Sequence, residues 1–146
     1  MDETVRRLTT PEECEQFIKN VQEQYPALAL EARRKAVELR AARHGARTAA
    51  EREALRAVYA YEEALSAKRG RKTRASRTWQ MIERHGIIKA VERAVNRSQE
   101  TLGYATLVEM NMQDFAFEHV VLRYPDLFNP ETIQRAKARL DELTRG

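Results

Sequence analysis

A dense run of cations lies near the middle of the chain. Ten consecutive residues contain six lysines and arginines and no acidic side chain: Lys68, Arg69, Arg71, Lys72, Arg74 and Arg77. Such side chains bind phosphates and release the counterions condensed on a nucleic acid backbone. Gly70 interrupts the run with a flexible position, so we expect several of the cations to reach phosphates from a loop. The run therefore predicts contact with DNA or RNA.

The charge of the whole chain is concentrated in the same region. Residues 66–97 carry 10 basic and 2 acidic groups, a net +8, whereas residues 1–65 carry 11 basic and 12 acidic groups. The central block thus holds more than the entire net charge of +4. This asymmetry indicates an anionic partner. Lys89 and Arg93, on the polar face of the next predicted helix, are expected to add contacts to it.

A different partner would satisfy the same charges. Residues 98–146 carry 5 basic and 8 acidic groups, a net −3, which is complementary to the basic block. The alternative interpretation is therefore a protein–protein interaction or assembly module. In that case the basic block would dock an acidic protein partner or a second copy of the chain in a homodimer. Both interpretations describe a binding protein, and the sequence leaves the choice between them open.

Residues that could catalyse a reaction are isolated from one another. His44, His85 and His119 show neither the i, i+4 histidine spacing nor the Glu-x-x-His spacing of helical metal sites. The single cysteine, Cys14, has acidic neighbours and no zinc or redox partner spacing. Phosphate-cradling glycine loops and the Gly-x-Ser-x-Gly pattern are also missing. The sequence therefore predicts no catalytic residue, no metal and no cofactor, and we expect a protein that is not an enzyme.

The elements that must position the basic run are helices. Thr10-Pro11, Thr48 with Glu51, and Asn129-Pro130 are helix-start patterns, and apolar residues recur with helical spacing after each one. Ser76 is expected to cap the helix that carries Trp79. These patterns predict an all-α, compact, single-domain bundle of seven or eight helices over residues 10–146, with a turn at residues 98–103. Residues 1–9 are expected to form a flexible N-terminal arm.

Two predictions concern the centre of the bundle and its surface. Residues 115–122 are apolar on most sides, which predicts that they lie in the core. Asp114 and Glu118, four residues apart, are expected to share a solvated acidic flank. Trp79 is expected to belong to the core as well. The N-terminus lacks the apolar segment of a secretion signal, and no apolar run is long enough for a membrane span, so we expect a soluble, cytoplasmic protein without a membrane partner.

Two stretches carry a resemblance to known sequences. They are GRKTRASRTWQMIERHGIIKAVERAVNR and, after it, GYATLVEMNMQDFAFEHVVLRYPDLF. Together they resemble an uncharacterised group of small all-helical bacterial proteins, and the resemblance extends from about Thr10 onward. It implies a bacterial cytoplasmic protein. It brings no activity and no functional residue to this chain.

Overall fold

The computed structural model describes residues 2–97 and 104–145, and these residues form an all-helical bundle that confirms the predicted fold class. Within them lie nine α-helices: α1 Glu3–Arg6, α2 Pro11–Val21, α3 Pro26–His44, α4 Ala49–Arg69, α5 Ser76–His85, α6 Ile87–Val95, α7 Tyr104–Glu109, α8 Phe117–Arg123 and α9 Pro130–Arg145. Short 3₁₀ turns at Gln113–Phe115 and Pro125–Leu127 flank α8. The turn predicted at residues 98–103 lies outside the described residues. None of the described helices is both long and apolar enough to cross a membrane.

The helix starts follow the predicted local chemistry in most details. Thr10 accepts the Glu13 N–H at 3.1 Å, and the Glu13 carboxylate accepts the Thr10 N–H at 3.1 Å, which completes a capping box at α2. At α4, Thr48 accepts the Glu51 N–H at 3.1 Å. The Glu51 carboxylate, however, accepts from the N–H of Arg47 rather than from that of Thr48. The helix start predicted at Thr48 is therefore confirmed, but only half of a capping box forms there.

Helices α3 and α4 form an antiparallel pair, which is the scaffold of the molecule. Gly45, with φ of +87°, ends α3 in a left-handed conformation that a side chain would oppose, and the chain turns back into α4. The two helices approach closely because small side chains face each other, among them buried Ala36, Ala54 and Ala57. Helices α1 and α2 then pack on α3, whereas α6, α7 and α8 pack on α4.

The main core lies between α4 and the C-terminal helices. Phe115, Phe117, Val120 and Val121 are buried there, as the apolar run predicted, and Leu122 is partly buried at its edge. Burial of side chains of this size is the principal source of stability in such a bundle, at roughly 1.5–3 kcal/mol for each one.

Two arginines contact the Phe115 ring. The guanidinium carbons of Arg34 and Arg56 lie 4.1 and 4.0 Å from the ring centroid. Burial lowers the pKa of Arg56, whereas the hydrogen bonds that Arg34 donates to Asp114 raise the pKa of Arg34. The two guanidinium groups thus cover the buried Phe115 ring at the edge of the core.

The N-terminal residues differ from their predicted form as a flexible arm. They contain α1, and Val5 on this helix is completely buried against α2 and α3 in a small second core. The ammonium of Lys35 donates to the Val5 carbonyl at 3.0 Å, which satisfies an acceptor at the end of α1. Cys14, on α2, is likewise fully buried. One apolar residue and one capped helix end thus dock the segment on α3.

The acidic flank predicted for Asp114 and Glu118 is wrong for one of the two residues. Glu118 is fully buried, because α9 packs over α8 and supplies Arg139 as its partner. Asp114 remains near the surface, where Arg34 donates to both of its carboxylate oxygens at 2.9 and 2.7 Å. These hydrogen bonds hold the pKa of Asp114 below its usual range.

Candidate functional site

A groove of about 760 Å³ lies between α2, α3, α4 and the loop of residues 70–74, and it is called groove A below. Seven basic and four acidic side chains line it, which gives a net charge of +3. The loop begins at Gly70, whose φ of +68° turns the chain out of α4. Thr73 then donates its N–H to the Ser66 hydroxyl at 2.8 Å, so the loop folds back along the last turn of α4. Half of the predicted basic run therefore borders a concave surface.

Three aromatic side chains meet at one end of groove A. The rings of His44 and Trp79 are stacked, with centroids 5.4 Å apart and an interplanar angle of 16°. Tyr59 packs edgewise against Trp79 at 5.3 Å and against His44 at 6.4 Å. Trp79 is partly buried, as predicted for a core residue, but His44 is exposed at the last turn of α3. His44 therefore presents a flat, supported ring to the groove.

Glu62 joins the basic loop to this aromatic cluster. Its Oε2 accepts the Ala75 N–H at 2.9 Å and the indole N–H of Trp79 at 2.6 Å. Ala75 is the N-cap of α5, and its methyl side chain cannot accept a hydrogen bond from the helix. Glu62 instead supplies a negative charge at this helix start. Ser76, predicted to be the cap, is instead the first residue of the helix. The prediction of its capping role was wrong because the partner comes from α4.

Arg74 contacts both Glu62 and Trp79. Its Nε lies 4.0 Å from the Glu62 carboxylate, and its guanidinium carbon lies 5.7 Å from the centroid of Trp79. The neighbouring Arg71 and Lys72 also line groove A, but neither forms an ion pair within the described part of the chain. Of the three loop cations, Arg71 and Lys72 are therefore the ones free to bind an incoming anion.

The other end of groove A holds cations that are already paired. Arg40 donates to Glu63 at 2.7 Å and also to Glu15, while Arg33 contacts the second oxygen of Glu63 at 3.2 Å. Burial acts to lower the pKa of Arg40, but the hydrogen bonds to the carboxylates of Glu63 and Glu15, with their negative charges, outweigh it and raise that pKa. The network ties α2, α3 and α4 together. Among the described residues, three lining cations form no ion pair, and two of them, Arg71 and Lys72, lie on the loop, whereas Lys19 lies on α2.

The remaining predicted residues lie outside groove A. Lys68 and Arg69 are exposed at the end of α4, and Arg77 is exposed in the first turn of α5. Lys89 and Arg93 lie on α6 and line a second groove of about 650 Å³ between α5 and α6, called groove B below. The two grooves have no lining residue in common. The structure thus divides the eight predicted residues between two grooves and the surface beside them.

Groove B is also basic but less varied. Its cations are Lys89, Arg93 and Arg97, and its single acid, Glu92, lies 3.4 Å from the Lys89 ammonium. Arg97 also donates to the Met81 sulfur at 3.4 Å across the groove. The His85 ring also lines it, but His85 is stacked on no other aromatic ring of the described residues. Groove B therefore offers positive charge and one imidazole, without the stacked rings of groove A.

The sequence did not predict a binding role for three residues of groove A: His44, Tyr59 and Glu62. Each has an ordinary place in its own helix, since His44 precedes the terminating glycine and the other two lie on an amphipathic helix. Their convergence depends on Trp79, which lies 35 residues after His44 in the chain. The cluster can be seen only once α3, α4 and α5 have packed.

Comparison with known proteins identifies no relative of this chain. No protein-family model, curated protein or solved structure matches the chain. Within the described residues, no group of three or more histidine, cysteine, aspartate or glutamate side chains is placed to hold a metal ion. The function is therefore inferred from the geometry of groove A.

Proposed function

We propose that the protein binds single-stranded nucleic acid in groove A. The observation that carries the proposal is the meeting of two features in one groove. Arg71 and Lys72 are unpaired cations on one side, and the exposed His44 ring, supported by Trp79, lies on another. Proteins that bind single strands combine these two features, since cations follow the phosphates and flat rings stack on the bases.

The aromatic surface favours a single strand over a duplex. In a duplex both faces of each base are already stacked on neighbours, so His44 would gain nothing from contact with them. In a single strand an unpaired base can lie on the His44 ring while its phosphate reaches the loop. Every base has such a flat face, so stacking gives little preference for sequence.

The paired end of groove A favours one orientation of a bound nucleotide. Glu15 and Glu63 neutralise Arg40 and Arg33 there, and their carboxylates oppose the approach of a phosphate. The loop end has no such compensation at Arg71 and Lys72. The phosphate is therefore expected at the loop, and the base is expected toward the helices.

The test is the salt dependence of binding to a fluorescently labelled oligonucleotide, measured by anisotropy with single-stranded RNA, single-stranded DNA and a duplex. The plot of log affinity against log salt has a negative slope. Removing two phosphate contacts by Arg71→Ala with Lys72→Ala should make this slope shallower by about 1.4. The matched control is Lys68→Ala with Arg69→Ala, which removes the same charge from residues outside groove A. It should lower affinity much less.

Two results would contradict the proposal. Equal losses in the two double variants would indicate diffuse attraction to the basic region, and tighter binding of duplex would remove the role of His44. A failure to bind any oligonucleotide, together with salt-sensitive binding of an acidic polypeptide or salt-sensitive dimers in light scattering, would favour the protein-interaction alternative.

Groove B has a separate variant. Lys89→Ala with Arg93→Ala should leave the affinity for a short oligonucleotide nearly unchanged and weaken binding of a longer one. This is expected because α5 lies between the two grooves, and only a longer strand would extend from groove A past α5. Equal weakening for both lengths would instead place the main site in groove B.

A further inference from the structure

The Glu62 carboxylate makes two hydrogen bonds with a single oxygen. The donors are the backbone N–H of Ala75, where the basic loop ends, and the indole N–H of Trp79, which supports His44. The Glu62 side chain is only 17% exposed, so water competes little for this oxygen. One largely buried side chain therefore fixes the loop relative to the aromatic cluster.

We propose that Glu62 is the positioning residue of groove A. By holding Ala75 and Trp79 together, it sets the separation between the loop cations and the His44 ring, so that the phosphate and the base of one nucleotide are bound at once. This inference rests on the proposed function. Although Glu62 is acidic, it is thereby expected to strengthen the binding of an anionic ligand.

Simple electrostatics predicts the opposite effect for such a residue. Glu62 lines a groove that would receive phosphates, so removing its charge should strengthen the binding of an anion. Loss of a positioning contact should weaken binding instead, because the loop and the ring would no longer be held in one arrangement. The sign of the change therefore separates the two roles.

Three variants of Glu62 give this comparison. Glu62→Ala removes both hydrogen bonds, and it should weaken binding of a single-stranded oligonucleotide about tenfold, the equivalent of one lost charge-assisted hydrogen bond. Glu62→Gln removes the charge but keeps an oxygen that can accept, so it should lie near the wild type. Glu62→Asp keeps the charge but shortens the side chain, and it should also weaken binding.

The control is Glu12→Gln, at the opposite wall of the groove. Glu12 is exposed and pairs with Arg43, so its neutralisation changes the groove charge equally without touching the loop. It should leave binding unchanged or make it tighter. Tighter binding in Glu62→Ala and in Glu62→Gln alike would overturn the proposal, because charge alone would then explain both variants.

A second readout does not depend on any ligand. Trp79 is the only tryptophan in the chain, so its fluorescence reports this hydrogen bond directly. Glu62→Ala should shift the emission of Trp79 and accelerate hydrogen exchange at the Ala75 amide, whereas Glu62→Gln should change both less. Unaltered emission and exchange in Glu62→Ala would overturn the positioning role.

The two readouts also separate this inference from the proposed function. If the wild type binds no oligonucleotide, the proposed function fails, while emission and exchange still decide whether Glu62 positions the loop. Thermal unfolding followed by circular dichroism checks each variant for folding. Should Glu62→Ala not fold, the comparison of Glu62→Asp with Glu62→Gln carries the same contrast of length against charge.

Discussion

Arg139 donates a hydrogen bond of 3.0 Å from Nη1 to Oε2 of Glu118, and none of Glu118 is exposed to solvent. The second guanidinium nitrogen of Arg139 donates to the Arg97 carbonyl, so one side chain joins α9 both to α8 and to the end of α6. A buried ion pair contributes little net stability compared with a well-packed apolar pair. Its loss is costly, however, because the remaining charge has no partner.

Arg139→Ala should therefore lower the free energy of unfolding by about 3–5 kcal/mol. Arg135→Ala is the matched control, because Arg135 is on the same helix and donates to the Asn96 carbonyl, yet its side chain is 47% exposed. It should cost about 1 kcal/mol or less. Denaturant unfolding measures both. Addition of Glu118→Gln to Arg139→Ala should recover part of the loss, and no recovery would show that the cost is not electrostatic.

Phe115→Leu tests the two arginines that cover the Phe115 ring. The substitution keeps an apolar side chain in the core but removes the ring face that attracts Arg34 and Arg56. It should cost about 1–2 kcal/mol more than Phe128→Leu, which removes a buried ring that no described arginine covers. The measurement is again denaturant unfolding. Equal costs for the two substitutions would show that the guanidinium groups add no stability there.

Stability should fall as the pH decreases from about 7.5 to about 5, in part because of His119. Burial, followed by the charge of Arg123, lowers the pKa of His119 in the folded protein, while Asp114 and Glu118 oppose this effect. The unfolded chain therefore binds a proton at a higher pH than the folded chain does. Unfolding then becomes easier as pH falls through this range.

His119→Gln should have a shallower pH dependence than the wild type in urea unfolding at several pH values. His44 and His85 are present in both proteins, so the difference between the two curves isolates His119. Parallel curves would show that His119 titrates alike in the folded and unfolded states.

His44→Ala should weaken the binding of a single-stranded oligonucleotide by about 1–3 kcal/mol, the usual worth of one base stacked on one ring. His44→Phe is the control, because it retains a flat ring and should retain most of the affinity. Quenching of Trp79 fluorescence by the ligand provides the measurement. Equal losses in the two variants would exclude stacking on this ring.

Much of the fold could be predicted because its causes lie close together in the sequence. The Thr10–Glu13 capping box and the turn at Gly45 each depend on a few neighbouring residues. The apolar run that begins at Phe115 has too few polar positions to lie anywhere but in the core. Helix type and approximate helix ends followed from such local chemistry.

The errors and omissions have a different cause. Glu118 looked solvated because Asp114, four residues earlier, suggested a polar face, while its actual partner Arg139 is 21 residues away. Ser76 looked like a helix cap because no local pattern shows that Glu62 reaches α5. Contacts of this kind depend on which helices pack together, and a single sequence gives no direct measure of that.

Cys14 has a practical consequence for groove A. It is the only cysteine in the chain, it is fully buried, and it lies on α2, which forms one wall of the groove. Burial also raises the pKa of its thiol, so little reactive thiolate forms at neutral pH. A thiol reagent therefore reaches it only when this part of α2 opens. The rate of alkylation would measure how often this wall opens, with no engineered cysteine.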